Sequence, residues 1–294
     1  MNLLRELRWS YLPPLMVYLA AGISGLTAIV GTFFVKETLG LSAEFLAALA
    51  FWAGLPWAIK MPLGHLVDLI WRWKNLLVYL GAALIAAGIL IMYGLIAHTA
   101  WMRAFLPVEA WYVLSALLSP IGYVVQDVVA DAMTVEAVPT YGPDGSPLPE
   151  SEIKDRHTTM QTLGRIAIMS GLMVVAALNI FMFEGVESMD EAAKVKIYAD
   201  IYLIALAVPA ISVAGVILNS LMLRRARQDL RRQGLSTEKI EALVAPAAGD
   251  PPHPNWWILG GALVYAVFTS AMGLSGNAYA QEIVFLGSLA IVLF

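Results

Sequence analysis

The sequence predicts an all-α polytopic membrane protein: a six-helix N-terminal bundle, a polar linker, and the first two spans of a second bundle. Three observations predict it. Hydrophobic residues make up 60 % of the 294-residue chain and charged residues 14 %, whereas soluble domains carry roughly a quarter charged residues. The apolar residues are gathered into eight stretches, most of them near or above the roughly 20 residues that a spanning helix needs. The basic residues alternate in density from one connecting loop to the next, as they do in multi-span proteins.

The elements follow in order. Leu12 to Val35 holds no charged residue and is longer than the roughly 7–15 residues of a signal-peptide core, so it reads as an uncleaved first span. Ala43 to Leu69, Leu76 to Ala97, Ala110 to Val138, Thr158 to Phe183 and Ile197 to Leu223 are the next five. "ESMDEAAKVKIYADIY" ahead of the sixth contains Ser188 and Glu191, the spacing of a capping box. That predicts a helix beginning outside the membrane. The polar stretch 224–255 is the one strong bundle boundary, and within it Ser236 is placed to cap a short helix, "TEKIEALV". Trp256 to Ser275 and Ile283 to Phe294 resume the spanning pattern. The last stretch is too short to cross a bilayer, so the chain reads as cut within a helix of an incomplete second bundle. The expected units are 1–223, 224–255 and 256–294.

With the N-terminus cytoplasmic, the inside loops hold twelve Lys and Arg residues and the outside loops four. Positive residues concentrate on the cytoplasmic side, which orients the chain in an inner or plasma membrane. Net charge is −4, and no basic face interleaved with aromatics suggests nucleic acid. Cysteine is absent, which excludes disulfide and thiol chemistry.

Four charges fall inside spans: Lys60, Asp127, Asp131 and Arg165. An ionisable group at the bilayer centre costs at least ~2.5–3.5 kcal/mol and is by default paired or functional. At 1.5 Å per residue, all four lie roughly 10–16 Å from the cytoplasmic ends of their helices. Asp127 and Asp131 share a helix face, with Thr134 one turn on. Gln126 lies on an adjacent face, and Glu136 points nearly the opposite way at the cytoplasmic end. Two readings stay open. The layer is a buried ion-pair network that fixes helix packing, or it lines a solute path in which the cations attract an anion and a carboxylate exchanges a proton.

A second element is "GHLVDLIWRWK", in which Gly64, Asp68, Arg72 and Lys74 run across a tight cytoplasmic loop. It is either a latch that holds one conformation of a rocking transporter or an end cap with topology charges. Six spans, a linker and further spans is the layout of transporters built from two six-helix halves. An enzyme is not expected, and no cofactor or metal: the four histidines lack ligand spacing, and there is no nucleophile elbow, phosphate loop or dinucleotide fingerprint.

The loop from Gly64 to Lys74 resembles the cytoplasmic signature of the major facilitator superfamily. Within it, "ETLGLS", "LPWAIKMPLGHLVD" and "DVVADAMTVE" are similar to the folate-biopterin transporter family, which has a Pro-Trp-x-x-Lys-Pro stretch and an Asp-x-x-x-Asp pair. Met61 intervenes before Pro62 here, and the loop after Asp68 is shorter than the family's. Gln126-Asp127 also resembles the muropeptide and acetyl-coenzyme A permeases. The resemblance implies a major-facilitator-type fold and proton-linked movement of a folate- or pterin-like organic anion. It matches Lys60, Asp127, Asp131, Gly64, Asp68 and Arg72 to motif positions. The alternatives are a permease for another solute and a non-transporting membrane assembly factor of the same superfamily.

Overall fold

Each apolar stretch folds as one helix or a broken pair, because a backbone in hydrocarbon must satisfy its N–H and C=O groups within its own segment. The computed structural model describes residues 8–34, 39–70, 73–140, 146–237, 239–240, 253–275, 277 and 279–293. Its main helices are α1 (Leu12–Ile23), α2 (Ala28–Phe34), α3 (Ala43–Ala58), α4 (Lys60–Leu69), α5 (Lys74–Ala97), α6 (Thr99–Arg103), α7 (Val108–Ala137), α8 (Glu150–Phe183), α9 (Glu191–Ala205), α10 (Ala207–Arg232), α11 (Trp256–Leu274) and α12 (Ala280–Leu293). Among the described residues six helical segments are long and apolar enough to cross a membrane, and the bent pair α3–α4, taken as one span, makes a seventh. The protein is an all-α polytopic membrane protein.

Three spans depart from the expected shapes. The first is interrupted by a 3₁₀ turn, Ser24–Thr27, between α1 and α2. The second is two helices, bent by 40° at Ile59. Pro62 stands in the first turn of α4; it has no N–H to give the carbonyl of Ala58, four residues earlier, and its ring crowds that carbonyl. Ile59 instead turns its N–H to Trp57 O. The helix of the sixth span runs on past Leu223 to Arg232, so the basic residues from Arg224 onward ride on a helix rather than in a loop. Most of the helix expected at "TEKIEALV" lies outside the described residues, although Ser236 Oγ does accept from the Lys239 N–H at 3.4 Å.

The expected capping box at Ser188 is corrected. Asp190 is the N-cap of α9 and accepts from the Ala193 N–H at 2.8 Å, while Ser188 closes a 3₁₀ turn by donating to Gly185 O. A carboxylate one residue before the helix binds a free amide directly, and the serine lies two residues too early to do so.

The bundle is centred on α5 packed against α7 and on α1 packed between α8 and α10. Small residues bring these backbones together, since packing rather than the hydrophobic effect joins helices in lipid. A Cβ on Gly122 would lie 2.6 Å from Gly81 O, and one on Gly171 would lie 2.7 Å from the Gly22 backbone. The α5–α7 seam is further tied by Ser115 Oγ donating to Gly88 O at 2.8 Å and Gln126 Nε2 donating to Val78 O at 3.2 Å. The pair α3–α4 lies along α7, and α11 packs on α3 and α4. Large apolar side chains such as Met173, Phe181 and Leu263 are exposed, as a lipid-facing surface requires.

Candidate functional site

The break at Ile59 places Lys60 at the first position of α4, facing the acid-bearing stripe of α7. Asp127 and Asp131 are one helical turn apart on α7, so one ammonium can meet both. Lys60 Nζ lies 2.5 Å from Asp127 Oδ2 and 2.9 Å from Asp131 Oδ2. The other oxygen of Asp131, Oδ1, accepts from the Tyr18 hydroxyl at 2.5 Å. Helices α1, α4 and α7 are thereby joined by four polar side chains at one depth. The ring of Tyr18 is held in turn by Gly164 of α8, where a Cβ would stand 2.8 Å from it.

The two acids differ in exposure. The Asp127 side chain is 15 % exposed and that of Asp131 49 %. Thr134, expected on the same stripe, is buried and donates to the backbone oxygen of Asp131 rather than to its carboxylate. Gln126 is buried, its amide turned to α5.

Cavities stand on either side of the cluster. A chamber of about 850 Å³ lies between α3 and the 3₁₀ turn Ser24–Thr27, α2, α5, α7 and α9. It shares Ser24, Pro120 and Tyr123 with a smaller cavity of about 250 Å³ whose wall includes Gln126, Asp127 and Trp57. Trp57 also borders a groove of about 690 Å³ lined by Lys60, Gly64, Asp68 and Asp131. The ion cluster stands between the small cavity and the groove.

The remaining expected residues lie apart. Arg165 is exposed, and among the described residues it forms no ion pair with the cluster. Without it the cluster holds one cation and two carboxylates. Lys74 pairs with Glu136, which ties the start of α5 to the end of α7 and joins a loop cation to an end charge that lie far apart in the sequence. Asp68 is exposed and lines the groove. Arg72 lies outside the described residues. Sequence reasoning missed Tyr18: a tyrosine within a first span reads as packing or interface, and no spacing within the chain links it to a residue more than a hundred positions away.

A charged, half-open cluster between cavities, inside an all-α polytopic membrane protein, is the class that fold and site define. Comparison with known proteins finds no matching family profile and no matching solved structure. The curated folate-biopterin transporter of Synechocystis sp. is 30 % identical over 132 residues, which is 44 % of this chain. The match spans 24 % of that relative's length.

Proposed function

We propose that this chain belongs to a secondary active transporter that moves a small organic anion, folate- or pterin-like, by alternating access with a proton. The observation that carries this reading is the cluster of Lys60, Asp127, Asp131 and Tyr18, standing between cavities with its second carboxylate half open. One ammonium against two carboxylates leaves a formal charge of −1, which one proton neutralises. A proton on Asp131 removes one of the two partners of Lys60, and the ammonium is then available to a carboxylate of the solute. Loss of the proton restores both ion pairs and expels the anion. Charge in a membrane interior is costly unless paired, so proton and anion favour each other at this site.

Arg165, a cation within a span and without a partner in the cluster, supplies a second point of attraction for the anion. Gln126 borders the path through the small cavity. Gly64 and Asp68 on α4, with Arg72 and the Lys74–Glu136 pair, form the cytoplasmic gate. Residues 1–223 act as the N-terminal bundle, 224–255 as the linker and 256–294 as the start of the second bundle, with the N-terminus cytoplasmic in an inner or plasma membrane. The resemblance of the charged motifs and the Synechocystis relative support this reading.

The test is folate uptake by the full-length protein in proteoliposomes under an imposed pH gradient. Uptake should collapse with the gradient, and Asp131→Asn should abolish the dependence on it. Absence of solute-dependent proton flux, or an Asp131→Asn variant with unchanged gradient dependence, sinks the proton step.

A further inference from the structure

The chamber of about 850 Å³ is large enough for a small-molecule site, which typically occupies roughly 300–1,000 Å³, yet its chemistry is unlike that of the ion cluster. Among the described residues its lining contains no Asp, Glu, Lys, Arg or His. An ion there would find no counter-ion in the wall, so the chamber disfavours charge. It is not simply greasy either. Thr27, Tyr112, Ser119, Tyr123 and Tyr202 are among its lining residues, and among the described residues the hydroxyls of Tyr112 and Ser119 show no hydrogen bond to protein. The hydroxyls of Tyr123 and Tyr202 are in hydrogen-bonding contact with the side chains of Ser24 and Thr27. Ser24 and Ser115, in contrast, donate to the main-chain oxygens of Ala21 and Gly88. Hydroxyls facing a void in an apolar setting are costly unless something bonds them. Apolar walls with a few convergent, unsatisfied polar groups are the mark of a ligand site.

We propose that this chamber binds the uncharged part of the solute: a ring-sized group with apolar faces and hydrogen-bonding edges, held apart from the anionic group at Lys60. The inference rests on the transport reading and deepens it, because it divides the ligand between two sites joined through the small cavity at Tyr123 and Asp127. The charged end selects for an anion; the chamber selects which anion.

The absence of cysteine from these 294 residues allows a direct test on the full-length protein with any cysteine outside them replaced by serine. Ser119→Cys puts one thiol on the chamber wall with little change in volume, and its labelling by a neutral maleimide reports access. The probes are pterin, which is an uncharged ring, and p-aminobenzoylglutamate, which is an anion without that ring. Pterin at about ten times its Kd should slow labelling by about tenfold, and p-aminobenzoylglutamate should not slow it. Tyr123→Phe in the Ser119→Cys background should weaken pterin protection by about fivefold, the effect of one lost hydrogen bond. Lys60→Ala should leave pterin protection intact while abolishing binding of p-aminobenzoylglutamate, read by quenching of tryptophan fluorescence. A thiol that never labels in folded protein, no protection by pterin, or equal protection by both probes overturns the inference. Lys60-dependent binding of p-aminobenzoylglutamate without pterin protection overturns it alone and leaves the transport reading standing. Pterin protection in a protein that moves no folate keeps the site and removes transport.

Discussion

Replacing Lys60 with Met removes the one cation shared by two carboxylates, and the exposures of those carboxylates set the size of the effect. Breaking a buried ion pair costs about 3–5 kcal/mol, because the remaining charge is left without a partner, whereas an exposed pair contributes about 0–1 kcal/mol. Asp127, 15 % exposed, belongs near the first case. Asp131, 49 % exposed, belongs near the second and keeps the Tyr18 hydroxyl. Screening at Lys60 itself, 36 % exposed, pulls the total down, so Lys60→Met should cost about 3 kcal/mol. Asp127→Asn should cost more than Asp131→Asn. Lys60→Met combined with Asp127→Asn should recover about half or more of the loss, since neither buried charge is then left alone. Denaturation in detergent micelles, run as a double-mutant cycle, measures all four. A Lys60→Met protein within about 0.5 kcal/mol of wild type, or a double variant whose losses simply add, would falsify the assignment of Lys60 to Asp127.

Three other expectations rest on single contacts and use the same assay. Tyr18→Phe removes the donor to Asp131 and should cost about 1–2 kcal/mol, toward the low end for a charged acceptor because that acid is half exposed. Gly122→Ala places a methyl 2.6 Å from Gly81 O and should cost about 1–3 kcal/mol by forcing α5 from α7, while Gly54→Ala, where nothing lies within 4 Å, should gain a few tenths up to about 1 kcal/mol. Asp190→Ala should cost about 1 kcal/mol as a lost N-cap, with Ser188→Ala nearly neutral; the reverse order would restore the capping box that the structure replaces.

Spans were readable from sequence because length and hydropathy are properties of single segments, and the helix ends fall close to the expected ones for Lys74–Ala97 and Val108–Ala137. Depth was readable for the same reason: Lys60 and Asp131 count to one layer along their own helices. Azimuth is a different matter. Arg165 counts to nearly the same depth, yet neighbouring Gly164 is the residue turned to Tyr18, and which side of α8 faces inward depends on the helix packed beside it. The bend at Ile59 had local causes in view, Pro56 and Pro62, but an apolar run of 27 residues from Ala43 to Leu69 outweighed them. The chamber had no sequence signature, since its hydroxyls come from three segments distant in the chain.

The bend also has a consequence for amide exchange. With no donor at Pro62 for the carbonyl of Ala58, and the Ile59 amide diverted to Trp57 O, the second span lacks the continuous ladder that lets a helix open only from its ends. Deuterium should therefore enter at its middle, near Ile59 and Lys60, before the central residues of α5. The fastest-exchanging amides buried in the bilayer would then lie beside the ion cluster, so the residue that holds both carboxylates is mounted on the part of the span that opens most readily.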